Sequence, residues 1–153
     1  MIMTLNDVLT KQNVITKILL ENGEKELSKE SKVKVMRIRM AYSKIKKGFD
    51  ADLQEFTEQL MTEEIKTLSS KERNEEEEAR FQELNSKINL EYQEYLIQKG
   101  NEEITNKIED TFSESEYEDI VDINSGNDVE INGNKIKAVD FLEIVYDLFV
   151  KQD

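Results

Sequence analysis

The chain contains no proline, and only five of its 153 residues are glycine. Because proline breaks the interior of a helix and glycine weakens it, few points in this sequence force a helix to end. Charged residues make up 36% of the chain and hydrophobic residues 37%. This balance suits exposed helices with narrow apolar seams better than a thick core. The sequence therefore predicts a mainly helical protein of about one domain.

Two consecutive segments carry apolar residues at heptad-like steps of three and four. The first begins at the expected N-cap Ser28 and runs to about Leu68, and the second runs from about Glu76 to Lys99. The seams are Val35, Ile38, Tyr42, Ile45, Phe49, Leu53, Phe56 and Leu60 in the first segment, and Phe81, Leu84, Ile88, Tyr92 and Tyr95 in the second. Since a short polar link joins the segments, they predict a long antiparallel helical hairpin over about 29–99.

Shorter elements are expected on both sides of this hairpin. Thr4 is a suitable N-cap for a first helix, which Asn22-Gly23 would end. After the hairpin, apolar spacing predicts a short helix within 101–112. A run rich in β-branched and aromatic residues predicts a strand over 117–123.

The clearest local signal is Asn132-Gly133, which lies between two short segments of alternating polarity. Such a pair favours a tight β-hairpin over 129–137. The apolar segment 138–150 predicts a final helix, which we expect to be mostly buried against the hairpin or another subunit. The expected fold is thus mainly α with an α+β tail. A helical region, 1–112, and the tail, 113–153, would pack as one domain.

The residue inventory argues against an enzyme. The chain has no histidine and no cysteine, which removes the commonest general base, every Ser-His triad and cysteine nucleophiles. No phosphate-binding glycine loop follows a predicted strand. A pair of carboxylates like that of a glycosidase is not excluded by counting alone. However, nothing in the sequence indicates a cleft that would raise one carboxylate pKa. We expect no catalytic residue and no cofactor.

Residues 122–128 alternate oxygen-bearing side chains, as a calcium loop does. Glycine occupies the fifth position of that loop, where a ligand belongs, and the twelfth position is Gly133 rather than glutamate. We therefore interpret the segment as a polar turn between strands, and no metal site is expected.

Positive charge is concentrated near the start of the predicted hairpin. Residues 29–47 carry eight Lys or Arg residues against one acid, Glu30. The candidate interaction face drawn from them is Lys32, Arg37, Arg39, Lys44, Lys46 and Lys47. One interpretation is a docking face for phosphates or acidic protein. The other is an ordinary solvated face whose lysine stems flank the seam. A sequence-specific nucleic-acid target is not expected, because no stacking aromatics or known reader fold accompany the charge.

Negative charge dominates the rest of the chain. Residues 1–50 carry 11 Lys or Arg against 6 Asp or Glu, a net of +5, and residues 51–153 carry 10 against 28, a net of −18. The acidic run Glu75–Glu78 is typical of a helix start, where carboxylates favour the positive end of the helix. An alternative is mimicry of nucleic acid by an acidic surface. The split in charge favours head-to-tail contact between copies.

This arrangement resembles small uncharacterised helical proteins encoded among bacteriophage structural genes. The likeness is carried by residues 4–21, TLNDVLTKQNVITKILLE, by 31–47, SKVKVMRIRMAYSKIKK, and by 128–145, DVEINGNKIKAVDFLEIV. The bias toward Lys, Glu, Asn and Ile is similar to that of phages of low-GC hosts. The resemblance implies a virion or assembly component, such as a ring or connector subunit. It assigns no functional residue.

Two functional hypotheses follow. In the first, the protein is a non-enzymatic virion or assembly subunit that binds copies of itself and other virion proteins. In the second, it is a small acidic regulatory protein that binds or inhibits a host protein. No run of residues is apolar and long enough to cross a membrane, so we expect the cytoplasm of the producing cell, with incorporation into the virion under the first hypothesis.

Overall fold

The computed structural model of the protein describes residues 3–20, 27–105, 108–123 and 128–150. In these ranges the chain forms six helices and one two-stranded antiparallel sheet. The elements in chain order are α1 Leu5–Leu20, α2 Lys29–Leu60, α3 Glu63–Ser69, α4 Glu75–Gly100, α5 Glu114–Ile123, β1 Val129–Ile131, β2 Asn134–Ile136 and α6 Ala138–Phe149. The predicted fold class, mainly α with a small β-containing tail, is confirmed.

The chain divides into two compact units. The first unit comprises Met1–Lys46 and Glu103–Asp153, and the second comprises Lys47–Glu102. The boundary drawn from the sequence at residue 112 lies inside the first unit. The first unit is therefore assembled from two stretches that are distant in the chain, whereas the second is continuous.

Reciprocal hydrogen bonds fix the start of α1 as the sequence predicts. The Thr4 Oγ1 accepts from the Asp7 backbone N–H at 3.3 Å, and the Asp7 carboxylate accepts from the Thr4 backbone N–H at 2.8 Å. Each bond satisfies a backbone donor that the first turn would otherwise leave unpaired. The Asn22-Gly23 stop proposed for this helix lies outside the described residues.

Large side chains from four helices and the hairpin fill the core of the first unit. Tyr42, Phe112, Phe141 and Phe149 are almost completely buried there, together with aliphatic residues of α1, α2 and α5. The rings of Phe112 and Phe149 lie 5.5 Å apart at a tilt of 59°, and the Phe112 N–H donates to the Phe149 carbonyl at 2.9 Å. Burial of each such ring contributes about 1.5–3 kcal/mol.

The β-hairpin has the predicted turn. Val129 pairs with Ile136 and Ile131 with Asn134, so Asn132 and Gly133 occupy the two turn positions. Their φ angles are 52° and 80°, and positive φ at both positions is the geometry of the tight hairpin turn that Asn-Gly favours. The hairpin contributes the buried Val129 to the core.

The second unit contains the C-terminal half of α2, together with α3 and α4. The predicted single helix from Ser28 to Leu68 is right as far as Leu60 and wrong beyond it, because α2 ends at Leu60 and α3 begins at Glu63. Thr62, in an extended conformation with φ −71° and ψ 164°, caps α3. A threonine followed by two glutamates is typical of a helix start. The apolar spacing continues through this point, so spacing alone does not reveal the break.

A stacked pair of aromatic rings and a helix cap stabilise the second unit. The Phe56 ring of α2 stacks on the Tyr95 ring of α4 with centroids 4.0 Å apart and planes 8° apart. The start of α4 is a capping box, in which the Asn74 side chain accepts from the Glu77 N–H at 2.8 Å and Glu77 accepts from the Asn74 N–H at 3.3 Å. The predicted end of α4 at Gly100-Asn101 is confirmed.

Two expectations for the residues after α4 are wrong. The described residues of 101–112 contain no helix, and residues 117–123 belong to helix α5 rather than to a strand. A further capping box explains α5, because Ser113 and Glu116 exchange backbone-to-side-chain hydrogen bonds of 2.9 and 3.2 Å. The Ser-x-x-Glu signature therefore decides the conformation here, against the strand preference of the β-branched residues that follow.

Candidate interaction face on the second helix

The six cations singled out from the sequence all lie on α2 and are all exposed. Lys32, Arg39 and Lys46 recur at seven-residue intervals, as do Arg37 and Lys44, so they form two parallel rows on the helix surface. Lys47 is the first residue of the second unit. We call these six residues the basic face.

Buried side chains on the opposite side of α2 hold this face toward solvent. Val35, Ile38 and Tyr42 are at most 2% exposed and belong to the core of the first unit. They follow one another at steps of three and four, so a single side of the helix is committed to the core. The side that carries the cations consequently faces solvent.

A buried polar cluster fixes how α2 is rotated. The Tyr42 hydroxyl donates a short hydrogen bond to Asp110 Oδ2, and Lys11 Nζ lies 2.9 Å from the same oxygen. The pKa of Tyr42 is far above its ordinary value, mainly because the hydroxyl is buried. The hydrogen bond to Asp110 and the negative charge of Asp110 raise it further. The hydroxyl therefore stays protonated and continues to donate. Because the three groups come from separate parts of the chain, the cluster ties α2 to α1 and to the segment before α5.

Serine hydroxyls anchor the first turn of α2. Ser28 accepts from the Ser31 backbone N–H at 3.3 Å and so acts as the predicted N-cap. The Ser28 and Ser31 hydroxyls both donate to Asp119 Oδ2, at 2.5 and 2.7 Å. These two hydrogen bonds lower the pKa of Asp119. The start of the helix is thereby fastened to α5.

One cation of the basic segment has an internal role. Lys34 Nζ lies 2.8 Å from a carboxylate oxygen of Glu116, and its ammonium sits 5.5 Å from the centre of the Phe112 ring. Desolvation alone would raise the pKa of Glu116, but the hydrogen bond from Lys34 and those at Ser113 lower it. Lys34 is thus part of the packing, which separates it from the basic face.

Three apolar side chains lie exposed between the rows of the basic face. Val33 is 38% exposed, Met36 47% and Met40 69%. Sequence reasoning missed them, because only the seam that became the core was followed. Their signal is a second heptad-like series along α2, with steps of four, three, four, four and three, made of Lys29, Val33, Met36, Met40, Lys44 and Lys47. We call this series the outer stripe of α2.

The acidic run Glu75–Glu78 forms the first turn of α4, as expected of a helix start. Glu77 closes the capping box and pairs with Lys71, while Glu78 pairs with Arg73 at 2.5 Å. The hydrogen bond from Lys71 is the main cause of the lowered pKa of Glu77. Two of the four carboxylates are therefore engaged with the chain itself.

A shallow groove of about 400 Å³ lies between α3 and α4. Glu64 and Arg80 face each other across it, joined by hydrogen bonds of 2.6 and 3.2 Å. The hydrogen bond from Arg80 lowers the pKa of Glu64 and raises that of Arg80. A general acid at neutral pH needs the opposite shift in a carboxylate, so the groove offers a structural ion pair rather than acid–base chemistry.

In the part of the chain that the structure describes, no group of three or more acidic side chains is placed to hold a metal ion. Of the segment interpreted as a polar turn, residues 124–127 lie outside that part. Within the described ranges, no helix is both long and apolar enough to cross a bilayer.

Comparisons with protein-family models, with curated proteins and with solved structures found no match to this chain.

Proposed function

We propose that this protein is a non-enzymatic assembly subunit that acts through protein–protein contacts of α2. The observation that carries the proposal is the exposure of Val33, Met36 and Met40 between two rows of Lys and Arg. An exposed apolar centre with a charged rim is the usual composition of a protein-binding surface.

The chemistry of this surface suits a protein partner. Methionine side chains are flexible and polarisable, so they adapt to the shape of an opposing surface. The surrounding cations attract an acidic partner and orient it, and this attraction weakens as salt concentration rises. In the described structure, Lys32, Arg37, Arg39 and Lys44 make no ion pair within the chain, so their charge is available to a partner.

The resemblance to small proteins encoded among phage structural genes supports a more specific proposal. We propose that the assembly is a bacteriophage virion or one of its precursors, in which the protein serves as a ring, connector or similar subunit. Its partners would be copies of itself and other virion proteins, met in the cytoplasm of the producing cell.

A charge-reversal experiment tests the proposed function. Arg37→Glu with Arg39→Glu changes two exposed residues of the basic face. The matched control, Lys135→Glu with Lys137→Glu, changes the net charge equally on the exposed surface of the hairpin region. We expect light scattering at low salt to show assembly for the wild type and the control, and a loss of assembly for the first variant. Circular dichroism should show that all three proteins are equally helical, since exposed substitutions cost little stability.

A wild type that stays monomeric at high concentration and joins no complex with virion proteins would contradict the proposal. The regulatory alternative would then be preferred, and binding of a host protein would become the measurement. If the control variant loses assembly as well, net charge rather than the basic face controls association.

A further inference from the structure

A second exposed apolar series lies on α4. Leu90 is 60% exposed and Ile97 64%, although both belong to a long helix whose other large apolar residues are partly buried. Leu90 and Ile97 lie in one row along the helix with three charged residues. The row has steps of four, three, four and three and consists of Glu83, Lys87, Leu90, Glu94 and Ile97. We call this series the outer stripe of α4. Glu83 and Glu94 are both exposed.

The exposed apolar residues of the outer stripes of α2 and α4 match in spacing. Val33 and Met40 are seven residues apart on α2, and Leu90 and Ile97 are seven residues apart on α4. At the helical rise, each pair spans about 10.5 Å. Two helices with equal apolar spacing can pack these side chains against one another in a single register.

We propose that the outer stripe of α2 in one copy of this protein docks on the outer stripe of α4 in a second copy. This inference rests on the proposed function and names the surfaces that would carry it. The two surfaces differ from one another, so the contact is heterologous. Each copy offers one surface of each kind, and such contacts build rings or open chains.

Charge complementarity selects an antiparallel register. That register places Val33 opposite Ile97 and Met40 opposite Leu90. It also sets Glu94 opposite Met36, one residue along the helix from Arg37.

One like-charge pair remains in this register. Lys47 lies opposite Glu83, but Lys44 lies opposite Lys87, where two cations repel each other. The parallel alternative, with Val33 opposite Leu90, also sets Arg37 level with Glu94 and brings Lys29 close to Lys87. It places Lys47 and Glu83 beyond the ends of the opposing helices, so it lacks the attraction between them that the antiparallel register has. The antiparallel register therefore predicts which reversals of charge strengthen association and which weaken it.

A mixing experiment tests the pairing of the two stripes. Met40→Asp removes the outer stripe of α2, and Leu90→Asp removes that of α4. Both side chains are mostly exposed, so each variant should keep the wild-type circular dichroism spectrum. We expect the wild type to form rings or chains and each variant alone to be monomeric. An equimolar mixture should form a 1:1 dimer and nothing larger, because only one complementary pair of surfaces remains.

Other outcomes of the mixing experiment would overturn the inference. A Leu90→Asp variant that dimerises alone would show that α2 packs on α2, and a Met40→Asp variant that dimerises alone would show that α4 packs on α4. If the wild type assembles and both variants assemble equally well, the docking surfaces and the role proposed for α2 are wrong, while a function in assembly stands. If the wild type forms no assembly of its own but joins other virion proteins, the pairing of copies fails and the proposed function again stands.

Charge reversal at the like-charge pair tests the register independently. Lys44→Glu and Lys87→Glu should each lower the dissociation constant roughly two- to fivefold, the range of an exposed ion pair. The double variant should return toward the wild-type value, since two carboxylates then face each other. A Lys44→Glu variant that binds more weakly than the wild type would rule out this register, since it is the result expected if the basic face meets only acidic groups.

Discussion

In the unit formed by Met1–Lys46 and Glu103–Asp153, four aromatic side chains are almost entirely removed from solvent. In the unit formed by Lys47–Glu102, the only buried apolar side chains are Ile65 and Leu68. Burial of apolar surface is the dominant stabilising term in folding. The first unit therefore derives its stability from a core, whereas the second depends mainly on partly buried rings and helix caps. One chain thus uses two different means of stabilising helices.

The largest expected difference between the two units is the loss of stability when one aromatic ring is removed from each. Phe141→Ala removes a fully buried ring of the first unit and should lower the free energy of unfolding by about 3–5 kcal/mol. Phe56→Ala removes a partly buried ring from the second unit and should cost at most about 2 kcal/mol, since less surface returns to water. Urea denaturation followed by circular dichroism measures both changes. Equal losses would show that the stacked pair Phe56–Tyr95 matters as much as the core.

The buried cluster of Tyr42, Asp110 and Lys11 makes the first unit sensitive to alkali. The pKa of Tyr42 is raised in the folded protein above the ordinary 10.0, so the folded state holds this proton more tightly than the unfolded chain does. The stabilisation is present below pH 10 and is lost as pH rises above it.

We expect the midpoint of urea denaturation to fall above about pH 10. The control is Tyr42→Phe, which should be less stable at neutral pH, because Asp110 loses a donor, yet should show a shallower decline in alkali. A decline of the same steepness in both proteins would assign the alkaline sensitivity to other groups.

Helix caps allow the same chemistry to be compared in both units. Thr4→Ala and Asn74→Ala each remove a side-chain acceptor from a capping box, and each should cost about 1 kcal/mol. Hydrogen exchange should place the two losses differently. Since the second unit has little buried surface, Asn74→Ala should accelerate exchange across α4, whereas Thr4→Ala should affect only the first turn of α1. Equal, chain-wide acceleration in both variants would mean that the two units open together.

The smallest effect is expected at the ion pair between Glu64 and Arg80. Both groups lie at the surface, where solvent and salt weaken the attraction. Arg80→Ala should leave the midpoint of thermal unfolding unchanged within the error of measurement, at low and at high salt. A clear loss of stability at low salt that disappears at high salt would show that ion pairs contribute more to the second unit than we infer.

Local signals in the sequence predicted most of the fold. Seams with steps of three and four identified α2 and α4, and Asn132-Gly133 identified the hairpin, because these features act within one element. The break at Thr62 and the helical state of 117–123 were missed, although a cap precedes each helix. In both places apolar or β-branched residues were given more weight than the capping residue.

The candidate site was predicted only in its charged part. The six cations of the basic face were identified because a local excess of Lys and Arg is visible in the sequence and charged side chains are usually exposed. Met36 and Met40 were not, since α2 carries two apolar series and only the tertiary fold determines which one faces the core. The contacts that settle this choice, from Tyr42 to Asp110 and from Lys11 to Asp110, join residues 68 and 99 positions apart. No local pattern encodes such separations.

The division of the first unit into two distant stretches has a consequence for biosynthesis. A ribosome releases Met1–Lys46 well before it makes Glu103–Asp153, so α1 and the start of α2 emerge without the partners that cover their apolar side chains. The continuous segment Lys47–Glu102 has all its own contacts available earlier. Closing the first unit then requires the chain to bring its two ends together across that whole segment, an entropic cost that slows folding. The unit with the deeper core is therefore the last to form on the nascent chain.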